Sequence, residues 1–350
     1  MSLKRIDVGI LGATGIVGQE FISQLDSHPW FNLVWLAASQ RSEGICYKDA
    51  AKWHLSTPQP PAVSDLIVNA SVPDRAPKLI FSGLDASVAG KIEAEFANAG
   101  HTVISNARNY RMESDVPLLV PEINPEHLEL LPRQATERGW SGQIVTNPNC
   151  STIILTLALA PLQPFGIKSV NVTTLQAVSG AGYPGLSSFD MVGNVIPFIS
   201  GEEEKIETEA QKIFGSLKER KVESSPILVS AHTTRVGVLH GHILMISVGF
   251  QTTPNQNELI EAFKTFTGQP QTKRLPSAPT HPIVYTDMPD RPQPRLDVDI
   301  NNGMSVTVSR LRPCSVLDYK FVVLGHNTIR GAAGAALLNA ELMHVDGLIV

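Results

Sequence analysis

One cysteine stands where a thiol could do chemistry. Cys150 lies in Thr146-Asn147-Pro148-Asn149-Cys150-Ser151-Thr152, after the strand-like Gln143-Ile144-Val145 and before a helix-forming run from Ile153 to Ala160. Pro148 disfavours helix at Asn147 and marks the boundary. Cys150 is therefore expected at or beside a helix N-terminus, where unpaired N–H groups and the positive end of the dipole favour an anion. A thiol there is expected to lose its proton more readily and to act as a nucleophile. Its usual partner is a histidine close in space, not in sequence. Among ten histidines, the informative stretch is Arg235-Val236-Gly237-Val238-Leu239-His240-Gly241-His242. Arg235 and His242 bracket a glycine-containing turn between two strand-like runs, so both could point into one cleft. Physical reasoning alone does not choose between His240 and His242.

A second constellation lies near the N-terminus. The apolar run Ile6 to Leu11 leads into Gly12-Ala13-Thr14-Gly15-Ile16-Val17-Gly18, after which Ile16, Val17, Phe21, Ile22 and Leu25 recur at helical spacing. Strand, glycine turn and helix in that order let a backbone approach a pyrophosphate and offer it a helix N-terminus. The spacing is G-x-x-G-x-x-G, which meets the generic G-x-G-x-x-G fingerprint only approximately. The next strand, Leu33 to Ala38, ends in Ser39-Gln40-Arg41-Ser42. It lacks the acidic residue that would take a ribose 2′-OH. Two hydroxyls and an arginine suit a 2′-phosphate, so the cofactor indicated is NADP.

These groups need a scaffold. Further apolar strands at Leu79 to Leu84 and His101 to Ser105, with a helix from about Ser87 to Ala99 between them, alternate in the manner of a parallel, doubly wound sheet. No element is assigned between Gly44 and Asp74. The turns at 12–18, 39–42, 82–84 and 105–111, and Cys150 itself, fall at the carboxyl ends of those strands, where ligands bind. After residue 160 the pattern changes to long strands: Ser169 to Val178, Pro226 to Val236, Gly241 to Phe250, Met304 to Ser309 and Lys320 to Leu324, with short candidates at Pro282 to Tyr285 and Leu296 to Ile300. Helices are expected over Glu202 to Gly215, Asn255 to Phe266 and Ile329 to Met343. This is an α+β domain with a largely open sheet, a surface suited to self-association.

Composition bounds the rest. At 350 residues the chain is long enough for two domains. Hydrophobic residues at 43% and charged residues at 17% describe a soluble globular protein, without the roughly 18-residue apolar run of a membrane span. No secretory segment precedes Ile6, so a reducing cytoplasm is expected. Three cysteines, at 46, 150 and 314, are too few and too scattered for a disulfide framework or a zinc site, and no metal is expected. A net charge of −5 argues against a nucleic-acid surface and requires local cations for any anionic substrate.

Taken together, these motifs resemble aspartate-β-semialdehyde dehydrogenase. The resemblance rests on Gly12-x-x-Gly15-x-x-Gly18, Asn149-Cys150-Ser151-Thr152, Gln176 before Ser179-Gly180-Ala181-Gly182, Glu202-x-x-Lys205, and Arg235 with His242 seven positions on. It runs from Ile6 to Leu337 in family order, and the Gly241-His242 pair and the 105–111 loop are closer to the archaeal and fungal branch. It implies an N-terminal Rossmann-like domain (residues 1–149 with 328–350) and a catalytic and dimerisation domain (150–327). It implies Cys150 as the nucleophile of a thioacyl-enzyme, His242 as acid/base, and Gln176 as the residue orienting the acyl group. Arg235 would take the substrate α-carboxylate, Glu202 (or its neighbour Glu203) the amino group, and Arg111 with Lys205 the phosphate. Gly12, Thr14, Gly15, Ile16, Val17, Ser39, Arg41, Ser42 and Ser82 would hold NADP, and Ser179, Gly180, Gly182 and Asn327 would lie near its pyrophosphate and nicotinamide. The implied reaction is NADPH-dependent reduction of aspartyl-4-phosphate to the semialdehyde, on the route to Lys, Met and Thr, by a homodimer or homotetramer. Relatives using the same Cys–His pair leave other substrates open: malonyl-CoA reductase takes a CoA thioester, and N-acetyl-γ-glutamyl-phosphate reductase a longer acyl phosphate. A nucleotide-binding protein without activity is the remaining alternative. The joint presence of Cys150, His242, Arg235 and Arg111 argues against it.

Overall fold

The structure, a computed structural model, describes residues 5–349. Residues 1–4, expected to lead into the first strand, and residue 350 lie outside the described residues.

Short apolar runs that must be buried on both faces form the first sheet. Its elements begin β1 (Ile6–Leu11), α1 (Ile16–Leu25) and β2 (Phe31–Ala37). The stretch with no assigned element contains two single-turn helices, α2 (Tyr47–Ala50) and α3 (Pro61–Ser64), and a two-residue strand, β3 (Val68–Asn69). Then follow β4 (Leu79–Ser82), α4 (Ala86–Asn98), β5 (Thr102–Ser105), α5 (Leu131–Arg138) and β6 (Gln143–Thr146). The order β3-β2-β1-β4-β5-β6, parallel throughout, is the expected doubly wound sheet.

α6 (Cys150–Leu159) leaves this sheet and enters a second one. There β7 (Ile167–Gln176) is followed by α7 (Ser188–Met191), α8 (Glu202–Ile213) and a small hairpin of β8 (Ser216–Lys218) and β9 (Lys221–Glu223). Next come β10 (Leu228–Arg235), β11 (His242–Phe250), α9 (Gln256–Thr265), α10 (Gln269–Thr272), β12 (Ile283–Thr286) and α11 (Pro294–Asp297), before β13 (Val306–Pro313) and β14 (Tyr319–Gly325). The mixed sheet runs β10-β7-β11-β14-β13-β12. One face buries Val172, Leu244, Ile246, Phe321 and Val323 with Leu155 and Leu159 of α6 and Phe263 of α9. The other face is uncovered in the single chain and presents Met245, half-exposed, among serine, histidine and arginine side chains.

One strand expectation fails. Leu296 to Ile300 is not extended, because Pro294 starts a helical turn there and the Asp297 carboxylate accepts the Gln293 N–H at 2.6 Å. The final helix begins with a π-turn at Ile329–Ala333 and continues as α12 (Gly334–Val345). Leu337, Leu338 and Leu342 of α12 share a core with Val8, Ile10, Phe81 and Ile104, so the chain ends packed on its first sheet.

Register decides what meets what. Arg235 at the end of β10 pairs with Gln176 at the end of β7, and His242 at the start of β11 pairs with Gly325 at the end of β14. A methyl on Gly325 would lie 2.6 Å from Ile154 Cγ1, so β14 needs glycine there to receive α6. The N-terminus of α6 thus arrives where those strand ends converge.

Candidate active site

Asn149 is the N-cap of α6, and its Oδ1 accepts the N–H groups of Ser151 at 2.9 Å and Thr152 at 3.2 Å. Cys150 is the first helical residue, as expected, and half-buried. Its acidity is not as expected: the thiol is pushed up to about 12. Burial is the main cause and the Glu202 carboxylate the next; Arg111, Arg235 and the Ser151 N–H act in the opposite direction. The helix end is largely spent, since the Asn149 cap takes up two of its N–H groups.

His242, fully buried, places Nε2 3.2 Å from Cys150 Sγ. Its Nδ1 accepts the Ala177 N–H at 3.1 Å. A nitrogen that accepts from a backbone amide carries no proton, so the neutral ring holds its proton on Nε2, facing the sulfur. Burial, then the charge of Arg235, push His242 down to about 3. The resting pair is therefore a neutral imidazole donating toward sulfur. His240 lies elsewhere, stacked on His326 with ring centroids 5.2 Å apart. Gly180 covers the pair: a methyl there would lie 2.9 Å from Arg235 Nη1 and 3.3 Å from His242 Nε2.

Of the remaining predicted substrate groups, Glu202, Arg111 and Arg235 lie near enough to Cys150 to act on its charge. Arg235 is buried and donates from Nη1 to the Ala177 carbonyl at 2.8 Å. Gln176 is buried, with Nε2 on Thr174 Oγ1 at 3.2 Å. Glu202 accepts Asn149 Nδ2 at 2.8 Å and Lys205 Nζ at 3.0 Å, while Glu203 turns away to accept the Thr233 N–H at 3.0 Å. Of the two adjacent glutamates, Glu202 is the one at Cys150. Arg111 donates to Glu209 at 2.9 Å and to the Asn106 carbonyl at 2.7 Å. A site with three cations, two carboxylates and a partly accessible thiol can bind a compound carrying anionic groups and one ammonium, and can attack an activated acyl carbon.

The glycine turn fits a dinucleotide. Gly12 has φ +80°, and a methyl on Gly18 would lie 2.2 Å from the Gly12 carbonyl oxygen, so neither position admits a side chain. The N-cap of α1 is the exposed Gly15, without a side-chain cap, which leaves the N–H groups around Ile16 and Val17 for phosphate. Tyr47 Oη braces the turn by donating to the Ala13 carbonyl at 2.9 Å, and Gln19 braces it by donating to the Thr14 carbonyl at 3.3 Å. Ser39 and Arg41 are exposed at the end of β2, with Ser42 buried behind them and its N–H on the Ser39 carbonyl at 2.8 Å. Ser82 does not reach the groove with its side chain; it is wholly buried and its hydroxyl lies beside Glu93. Asn327 is committed to protein, donating to Ser179 Oγ at 2.8 Å and accepting the Gly241 N–H at 2.9 Å, so it joins the 179–182 glycine loop to the histidine turn. Gly182 (φ +71°) has open space around it.

Sequence reasoning missed three participants. Glu209 contacts both Arg111 and the turn before Cys150, and its signal was helical spacing from Glu202. Gly331 in the π-turn lies against Cys150, where a methyl would be 2.7 Å from the cysteine Cβ. The Ala177 N–H, which sets the His242 tautomer, has no sequence signature.

The parallel sheet with its glycine turn, and the second sheet beyond it, are the architecture of a nucleotide-dependent dehydrogenase. Comparison with known proteins agrees: the semialdehyde dehydrogenase NAD-binding domain matches residues 7–131, and the semialdehyde dehydrogenase dimerisation domain matches residues 159–330. Aspartate-semialdehyde dehydrogenase of Archaeoglobus fulgidus is 47% identical over 99% of this chain and 100% of its own. The Schizosaccharomyces pombe enzyme of that name is 46% identical over the full length of both chains. The crystal structure of aspartate semialdehyde dehydrogenase with NADP from Candida albicans superposes with a TM-score of 0.91 at 42% identity, covering 98% of this chain and 100% of that one. The chain belongs to the aspartate-semialdehyde dehydrogenase family.

Proposed function

We propose that this protein reduces L-aspartyl-4-phosphate to L-aspartate-4-semialdehyde and phosphate with NADPH, through a thioacyl-enzyme on Cys150. The observation that carries this reading is the 3.2 Å contact of Cys150 Sγ with His242 Nε2, set among Arg235, Glu202, Lys205 and Arg111. Arg235 pairs with the substrate α-carboxylate and Glu202 with its ammonium. Lys205 and Arg111 hold the phosphate. Attack of the sulfur on the acyl carbon breaks the C–O bond to phosphate and leaves a thioester, whose carbonyl Gln176 orients. NADPH, when bound, supplies a hydride to that carbonyl. The resulting tetrahedral adduct collapses by releasing the sulfur as thiolate. The thiol proton leaves with the departing phosphate on attack; on collapse His242 donates a hydrogen bond from Nε2 to the departing thiolate, which then regains a proton from solvent. Gly12, Thr14, Gly15, Ile16 and Val17 receive the pyrophosphate, and Ser39, Arg41 and Ser42 the 2′-phosphate.

We further propose that residues 1–149 with 328–350 form the cofactor domain and 150–327 the catalytic domain. The uncovered face of the second sheet joins copies into a homodimer or homotetramer, and the enzyme works in the cytoplasm. No helix among the described residues is long and apolar enough to cross a membrane.

The test is NADPH formation from NADP and L-aspartate-β-semialdehyde, with and without inorganic phosphate. Phosphate-dependent turnover is expected. No turnover there, with CoA-dependent oxidation of malonate semialdehyde instead, would move the substrate to a thioester and overturn the proposal.

A further inference from the structure

Two buried charges on α8 have no part in the chemistry above. Helical spacing puts Glu202, Lys205, Glu209 and Lys212 near one face of that helix. The first two face the substrate. Glu209, only 2% exposed, accepts Arg111 Nη1 at 2.9 Å through Oε1 and the Asn149 N–H at 2.6 Å through Oε2. One carboxylate therefore joins the phosphate-side guanidinium to the peptide unit just before the nucleophile. Lys212, 5% exposed, donates to the carbonyls of Arg111 at 2.6 Å, Glu113 at 2.7 Å and Val116 at 2.9 Å. All three ammonium hydrogens are spent on the segment that carries Arg111.

Burying two charges is costly unless each is fully paired, and a mere domain contact would be served as well by apolar side chains. What the carboxylate provides, and an apolar group cannot, is two directed acceptors at a fixed separation. We propose that Glu209 is a positioning residue for the phosphate subsite. It sets the distance between Arg111 and the Cys150 turn, while Lys212 fixes the loop from behind. Glu209 touches neither the substrate nor the reacting atoms. In this arrangement Arg111 still keeps one further N–H on each terminal nitrogen for an anion. The inference rests on the phosphate-dependent reaction proposed above.

Glu209→Gln tests it. The amide offers one acceptor and one donor, so it can satisfy Arg111 or Asn149 but not both. In the oxidative direction, with inorganic phosphate as the varied substrate, KM for phosphate is expected to rise about tenfold, as loss of a charged hydrogen bond requires. KM for L-aspartate-β-semialdehyde and the Kd for NADP should stay within about twofold. On an Arg111→Met background, Glu209→Gln should add nothing to the phosphate KM, whereas a purely structural role would add its effect in both backgrounds. Lys212→Gln, a second variant reaching the same loop, should raise the phosphate KM in the same direction. Active parent enzyme with an unmoved phosphate KM in both variants would overturn this inference alone. A parent with no phosphate-dependent turnover would instead overturn the functional reading beneath it.

Discussion

Replacing Gly331 with alanine should disable the enzyme without emptying its cofactor site. The added methyl would lie 2.7 Å from Cys150 Cβ and 3.1 Å from its Cα. Carbon atoms pack best at roughly 3.5–4.0 Å, so one side must give by about 1 Å. The π-turn cannot easily retreat. Its neighbour Arg330 makes a bidentate pair with Glu122 at 2.9 and 2.7 Å, both side chains wholly buried. The Ala332 carbonyl is also held by Asn147 Nδ2 at 2.9 Å, and the Gly331 N–H donates to the His326 carbonyl at 2.9 Å. Cys150 is the softer side, and displacing it stretches the 3.2 Å contact to His242. A misplacement of about 1 Å at a reacting group costs on the order of 100-fold in rate, and overpacking costs about 1–3 kcal/mol of stability. The assay is kcat for phosphate-dependent NADPH formation, with NADP affinity measured by fluorescence and Tm alongside. Gly237→Ala is the control, because a methyl there meets its nearest neighbour, the Met191 carbonyl oxygen, at an ordinary 3.7 Å. A Gly331→Ala enzyme within about threefold of parental kcat would refute the reasoning, since the close approach would then be absorbed without moving the thiol.

Three further expectations follow from the same geometry. Cys150→Ser should abolish turnover while NADP still binds, because the glycine turn at 12–18 follows β1, separated from β6 and Cys150 by β4 and β5; loss of NADP binding as well would make Cys150 structural. Arg41→Ala should reduce the preference for NADP over NAD by at least about tenfold in kcat/KM, as removal of a charged contact to a 2′-phosphate requires, and an unchanged ratio would place that phosphate elsewhere. Acid should destabilise the fold through its buried neutral histidines. His242 and His326 are both pushed down to about 3, so between that value and about 6.5 the unfolded chain binds more protons than the native one. The stability they contribute is present above about pH 6.5 and falls as pH drops, by up to about 1.4 kcal/mol per pH unit for each histidine. His326, which faces His240 and Asp299 and accepts the N–H groups of Thr328 and Ile329, gives the test. Urea midpoints from pH 7 to 4.5 should fall less steeply for His326→Gln, and parallel curves would show that His326 does not carry the dependence.

The scaffold was readable because it depends on local signals. Apolar runs closed by Gly12, Gly83 and the polar 105–111 loop specify a parallel sheet, and Pro148 followed by Asn149 specifies a helix start at Cys150. Leu296 to Ile300 misled because alternating apolar residues outweighed Pro294, a helix-starting signal. The site residues on the second sheet were legible as types but not as neighbours. Arg235 and Gln176 are 59 positions apart, and only the parallel register of β10 on β7 sets them side by side. The acidity of Cys150 could not be read at all. Position at a helix end argues for a low value, but acidity depends on what else is buried there, and the Glu202 carboxylate arrives only through tertiary packing.

The acidic run on α8 shows how far tertiary context can reverse a reasonable inference from sequence. Glu202, Glu203, Glu204, Glu207 and Glu209 within eight positions look like a solvated helix face. Four of the five are instead engaged. Glu202 and Glu209 accept from Asn149 and hold the two sides of the turn before Cys150. Glu203 and Glu207 accept the N–H groups of Thr233 and Ala231 on β10, at 3.0 and 2.9 Å. β10 is the edge of its sheet, so its outward N–H groups would otherwise lack partners and offer a template to a foreign strand. One helix thus closes a sheet edge with one pair of carboxylates and orders the Cys150 turn with the other. Because Arg235 is the last residue of β10, the first pair also fixes where that arginine stands relative to Glu202. Only Glu204 is left to solvent.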